Sequence, residues 1–134
     1  MLTDPDWPAL PLEAWRQTRD TLHLYLQIVG KIRLALSPPV NHWWHVTLYV
    51  SPRGLTTHAI PCGSRSFEIE LDLLGHRLEL RCSDGQRGGF ALEDGLAVRD
   101  FHAQLFEQLG RMGIAATIRP LPYDCFSKIP FRDD

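Results

Sequence analysis

The stretch Phe67–Ser83, FEIELDLLGHRLELRCS, decides the fold. Phe67, Ile69, Leu71 and Leu73 alternate with Glu68, Glu70 and Asp72, the period of a strand with one dry and one wet face. Gly75-His76 suits a two-residue turn of the type that matches strand twist. Such a turn predicts Leu73 opposite Leu78, Leu71 opposite Leu80 and Ile69 opposite Cys82, so that apolar side chains meet each other. Beyond it, a three-residue loop Asp84-Gly85-Gln86 predicts Phe90 opposite Leu80 and Leu92 opposite Leu78. A two-residue loop would turn Phe90 to the wet side.

Before this hairpin, Pro11 to Val29 has helical spacing, with Trp15, Thr18, Leu22, Tyr25, Leu26 and Val29 on one face. Arg16, Asp20, His23 and Gln27 fall on the other, and Gly30 stands where a left-handed terminating residue is expected. Lys31–Leu36 fits period two better than a continued helix, which would place Arg33 within the apolar face. A strand is therefore expected there. After the break at Ser37–Asn41, Trp43 to Val50 reads as a strand with Trp44, Val46, Leu48 and Val50 in the core. Trp43, His45, Thr47 and Tyr49 face the other way. Leu55 to Ile60 is a further short strand, following a turn at Ser51–Gly54.

Towards the end, Leu96 to Met112 is a second helix with Val98, Phe101, Leu105, Leu109 and Met112 as its stripe, and Gly113 as its stop. Ile114, Ala116 and Ile118 suggest a last strand, and residues 120–134 form an irregular proline-containing tail. The fold class is α+β: one domain over 1–134, an antiparallel β-meander of about five to six strands with two helices on one face. The connections are too short for parallel crossovers.

Composition narrows the function classes. The 134 residues suffice for one domain with a core, and 44% hydrophobic with 22% charged residues is ordinary for a folded chain. A net charge of −2 opposes phosphate-backbone binding and a polybasic membrane anchor. No apolar run approaches the roughly 20 residues that span a bilayer. The opening MLTDPDWPAL lacks the basic and apolar regions of a secretory leader. Three scattered cysteines, Cys62, Cys82 and Cys125, give neither a disulfide framework nor a structural zinc site. The cytoplasm is the expected compartment.

The stretch Leu22 to Pro61, the run SRSFEIELDLLGHRLEL and the closing KIPF carry a resemblance. Their most specific piece is Pro38-Pro39-Val40-Asn41-His42-Trp43-Trp44-His45. The chain resembles an uncharacterised bacterial family catalogued as domain of unknown function 5996, from Trp7-Pro8 to Pro130-Phe131. The resemblance brings no activity. It implies a longer architecture in similar proteins, with a second half after the segment at Lys128–Asp134.

Candidate chemistry sits on the sheet face turned from the helices, where Lys31, Arg33, Trp43, His45, Thr47 and Tyr49 are expected beside Glu68, Glu70, Asp72, Glu79 and Arg81. The bland reading is a solvated face with cross-strand pairs such as Glu70 with Arg81. The functional reading makes Lys31, Arg33, Trp43, His45 and Tyr49 a ligand-binding set. Its aromatics supply rigid surface, its cations hold an anion, and His45 moves a proton. His42 and His45 point apart on a strand, and a third ligand is lacking unless His58 approaches, so no metal is expected. No cofactor is expected either. Cys82 is read as core, and alternating acids on an exposed strand as solubility and edge protection. Gly85–Gly89 opens no helix and is a turn rather than a phosphate loop. His23 and Gln27 form a solvated row that Lys31 joins only if the helix continues.

The leading expectation is a domain that binds a small molecule, such as a small anionic ligand, or a protein segment on this face. One rival is an enzyme with His45 as general base and Arg33 or Lys31 stabilising negative charge. The other is a half-domain that forms a homo-oligomer or pairs with a second-half partner. No nucleic-acid or membrane partner is expected.

Overall fold

The computed structural model describes residues 6–134; Met1–Pro5, half of the stretch read for a leader, lie outside the described residues. Two helices, α1 (Arg16–Leu36) and α2 (Val98–Arg111), lie on one face of an antiparallel sheet. Its strands are β1 (Tyr49–Ser51), β2 (Gly54–Thr56), β3 (Ile60–Cys62), β4 (Arg65–Asp72), β5 (Arg77–Cys82) and β6 (Arg87–Ala91). The order is β1-β2-β4-β5-β6, with β3 also on β4. Thus β2 and β3 share one edge of β4: Thr56 pairs with Glu70 and Ile60 with Phe67. Between them the chain bulges, and His58 adopts φ 55°. Thr57 holds the bulge down, donating its N–H to Ile69 O and accepting the Ile69 N–H at Oγ1, each at 3.0 Å.

The α+β class stands, but both hairpin registers differ from expectation by two residues. Leu71 pairs with Leu78, Ile69 with Leu80 and Phe67 with Cys82. The cause is Asp72, whose Oδ1 accepts the N–H groups of Leu74 and Gly75 at 3.1 and 2.7 Å. This local bond closes a four-residue loop, Leu73–His76, in place of a two-residue turn at Gly75-His76. In the next hairpin Leu78 pairs with Phe90 and Leu80 with Gly88. There the loop is Ser83-Asp84-Gly85, with Asp84 Oδ1 accepting the Gln86 N–H at 3.0 Å. A slip of two keeps every paired side chain on its face, so the expected core survives except at Leu73, which the longer loop leaves 41% exposed.

The expected strand at Lys31–Leu36 is instead the last stretch of α1. Ile32 explains it: Leu24, Tyr25, Ile28, Val29 and Ile32 form one buried stripe at helical spacing, and it runs straight past Gly30. A mid-helix glycine costs about 1 kcal/mol relative to alanine. Burying Ile32 completely offsets that, since a buried aliphatic side chain contributes about 1.5–3 kcal/mol. The stripe is therefore rotated from the expected one; Thr18 is exposed, and Trp15 and Leu22 are half-buried. The helix ends where Ser37 donates to Arg33 O at 2.8 Å and Pro38-Pro39 forbids further turns.

The second helix meets its expectation and stops at Gly113, which takes φ 71°. No strand forms at Ile114–Ile118. Ile114 is buried and its N–H bonds Leu109 O at 2.9 Å, so the chain folds back on α2 instead of reaching the sheet. Arg65 fixes this exit by donating to Met112 O and Gly113 O at 2.7 and 3.2 Å. The irregular tail crosses the outside of the helical layer and ends with Phe131 wholly buried beside α2.

Tyr25 and Phe101 stack at 4.1 Å and tie the helices together, while the Tyr25 hydroxyl donates to Leu96 O. Burial, seconded by Asp100, pushes the Tyr25 phenol up to about 12 from 10. Above pH 10 the unfolded phenol loses its proton while the folded one keeps it, so stability falls between pH 10 and about 12. Tyr25→Phe is expected to lose about 1 kcal/mol near neutral pH. It should also flatten the alkaline decline relative to wild type, as urea titrations across that range will read out.

Candidate functional site

The segment Pro38–Ser51 does not run as a strand from Trp43 to Val50. Asn41–Val46 is a tight helical turn, and only Tyr49–Ser51 joins the sheet. Within the turn His42 (φ 59°, ψ 23°) and Trp43 (φ 60°, ψ 25°) are consecutive left-handed residues. Each such non-glycine residue costs about 1–2 kcal/mol. The turn is held by its surroundings. The Val40 N–H donates to His45 Nδ1 at 3.1 Å, and Trp43 stacks on His45 at 5.6 Å. Thr47 donates to Trp44 O at 3.3 Å, and its own carbonyl accepts Arg33 Nη1.

The consequences reverse two expectations. Trp44, expected in the core, is 63% exposed beside Trp43 at 65%. His45, expected on the wet face, is buried, and because Nδ1 accepts a hydrogen bond the neutral ring carries its proton on Nε2. Alternation of aromatic and β-branched residues reads as strand, yet Pro38-Pro39 and the anchor from Arg33 turn the chain before it can pair.

Of the expected ligand-binding residues, the structure joins Arg33 with Tyr49 and Trp43 with His45, and separates Lys31. Arg33 places its Cζ 5.3 Å from the centre of the Tyr49 ring, with Nε buried and without a hydrogen-bond partner. Two residues apart on a helix, Lys31 points to another side, where burial and nearby Arg119 hold its ammonium below the ordinary lysine value. With α1 continuous, Lys31 does extend the row of His23 and Gln27, and the tail bonds to that row. Gln27 exchanges two hydrogen bonds with the Tyr123 backbone (2.7 and 3.2 Å), and His23 Nδ1 lies 4.0 Å from Cys125 Sγ. His23 stays exposed, as a solvated row requires, and the tail leaves Gln27 half-buried.

The sheet face opposite the helices is closed by its own charges. Arg53 bonds Asp72 at 2.7 Å, Arg81 bonds Glu68 and Glu70 at 3.2 and 3.1 Å, and Arg77 bonds Glu79 at 2.9 Å. The expected Glu70–Arg81 pair thus exists, although the backbone register sets Glu68 opposite Arg81. Arg53 and two backbone N–H groups hold the Asp72 carboxyl below the usual carboxylate range. Among the described residues no cluster of three His, Cys, Asp or Glu is arranged for a metal. His58 packs 4.3 Å from Tyr49.

Unlike this closed face, the sheet's β1 edge is open. Leu73 N–H donates to Arg53 O and Thr57 N–H to Ile69 O, so the backbone groups of Leu55 face β4. Those of Gly54 and Thr56 then face β1, and Val50, opposite Leu55, turns its N–H and C=O away from the sheet. Val50 is 86% exposed. Leu34, Val40, Trp43 and Trp44 are exposed in the segments leading to it. From Thr21 to Phe67 the chain has no Asp or Glu, but it has Lys31, Arg33, Arg53 and Arg65; the carboxylates nearest the edge come from β4, where Glu68 accepts the Thr56 hydroxyl at 2.6 Å. Arg53 and Arg65 are neutralised by Asp72 and Asp84. Among the described residues Arg33 has no carboxylate partner.

Two cavities lie elsewhere, on the helical side, and sequence patterns carried no signal for either because distant segments build them. A groove of about 690 Å³ is bounded by Thr21, Tyr25, Leu73, His76 and Leu96. Another of about 440 Å³ lies between Asp20, Leu24, Phe126 and Lys128.

Fold and surface together define a small antiparallel α+β domain with an aromatic turn beside an unpaired sheet edge. No helix among the described residues is long and apolar enough to cross a membrane. The chain belongs to the family described as Family of unknown function (DUF5996), which matches residues 7–134. No curated protein and no solved structure matches it.

Proposed function

We propose that this domain is a binding module that receives an extended protein segment along the β1 edge, with Trp43, Trp44 and Tyr49 as anchors. The carrying observation is the pair of consecutive left-handed residues, His42 and Trp43, which hold two indoles in water next to unpaired strand hydrogen-bonding groups. Strain retained beside exposed aromatics is characteristic of ligand-holding segments. Strand addition draws affinity from main-chain bonds and specificity from side chains that flank the edge. An enzymatic reading through His45 is less favoured, since its Nδ1 is engaged by Val40 and the ring is buried. A cytoplasmic setting suits this reading, with Cys62, Cys82 and Cys125 all as free thiols.

Val50→Pro tests the reading directly. Proline removes only an N–H that points away from the sheet, so the fold tolerates it, as edge strands do. Peptides selected from a random displayed library on the wild-type domain are expected to lose about fivefold or more in affinity for Val50→Pro and for Trp44→Ala, a strand bond and an aromatic anchor each being worth at least about 1 kcal/mol. Thermal melts of both variants should match wild type. Selection of no peptide, or of peptides indifferent to Val50→Pro, would refute strand addition.

A further inference from the structure

We infer that the segment received at the β1 edge is acidic as well as apolar; this rests on the strand-addition reading and names the chemistry of its occupant. The segments leading to the edge expose Val40, Trp43, Trp44 and Val50 and carry no acidic residue, and the carboxylates of the neighbouring β4, Glu68 and Glu70, are already paired with Arg81. The other two arginines between Thr21 and Phe67 already have carboxylates, Arg53 at 2.7 Å from Asp72 and Arg65 at 3.1 Å from Asp84. Arg33 differs. Its guanidinium is fixed by Thr47 O and the Tyr49 ring, and Nε is buried without a hydrogen-bond partner. A planar, pre-positioned guanidinium without a carboxylate partner is suited to one. His42, exposed in the turn, adds a second donor on the same segment.

The same charge argument disfavours a second copy of the chain. Two-fold pairing of β1 on β1 would bring two Arg33 groups that lack carboxylate partners together, and like charges across an interface are repulsive. It would also set Pro52, which lacks an N–H, opposite Leu48, losing ladder bonds at both ends of a three-residue strand.

The experiment uses three fluorescein-labelled peptides with one alternating valine–threonine centre, flanked by aspartates, asparagines or lysines. Anisotropy titrations on the wild-type domain are expected to rank aspartate over asparagine by about tenfold, with the lysine form weakest. Raising the salt concentration should erase the gap between the first two. Arg33→Gln should bring the aspartate peptide down to the asparagine one, while Val50→Pro weakens all three peptides by about fivefold or more. Thermal melts separate a folding defect in Arg33→Gln from a charge effect, and the wild-type salt dependence needs no variant. Equal binding of the aspartate and asparagine peptides, weakened in Val50→Pro, overturns the acidic occupant and leaves strand addition standing. No binding of any peptide overturns both. Sedimentation showing a wild-type dimer that Val50→Pro dissociates would assign the edge to a second copy and also overturn the inference.

Discussion

Phe101→Ala is expected to lower the unfolding free energy by about 3–5 kcal/mol, the cost of removing a fully buried aromatic ring together with the cavity it leaves. Phe101 of α2 has no exposed surface and touches two other elements at once. It stacks on Tyr25 of α1 at 4.1 Å with the rings 4° from parallel, and meets Phe90 of β6 edge-on at 5.5 Å. Aromatic pairs of this kind contribute about 0.5–1.5 kcal/mol beyond their buried area, so the loss belongs at the upper end. Urea titration measures it. A loss under about 1 kcal/mol, the level of a surface change, would mean that α1, α2 and β6 are not joined through this ring.

The second large effect is at Gly54. A Cβ there would lie 2.1 Å from Leu71 O and 3.0 Å from Leu73 N, both backbone atoms of the neighbouring strand and loop. No rotamer relieves that overlap. Gly54→Ala must push β2 off β4, and the cost is expected to reach about 3 kcal/mol, the top of the usual range for overpacking. Since β1 is held to the sheet only through β2, the peptide-binding edge should fail with it. Gly63→Ala is the control: φ is 61° there but nothing lies within 4 Å of the added carbon, so only the left-handed penalty of about 1–2 kcal/mol applies. Equal losses at the two positions would show that crowding by Leu71 is not the cause.

How much of this was legible varies from element to element. The faces of β4 and β5 were readable because a period of two sorts side chains whatever the partner. Their register was not, because one carboxylate oxygen of Asp72, taking two N–H groups of its own loop, outweighed the turn preference of Gly75-His76. Lys31–Leu36 alternates by coincidence, and the completely buried Ile32 shows that the packing partner, not the pattern, chose helix. The candidate site was half visible. The motif Pro38–His45 drew attention as a sequence, and Arg33, Trp43 and Tyr49 do belong to the surface now described. That Trp44 faces water and His45 is covered depends on left-handed angles at His42 and Trp43, which no propensity of those residues predicts.

By itself the amino-acid order determined the dry stripe of α2 and the dry face of β4 and β5, that the sheet is antiparallel, and that two helices accompany it. Those are consequences of spacing along the chain, and spacing is local. Only the tertiary structure decided the length of α1, the bonding of Gln27 to the tail, and the open edge at Val50. Each of these is a competition between a local preference and burial or hydrogen bonding supplied by residues distant in sequence, and the distant partner won.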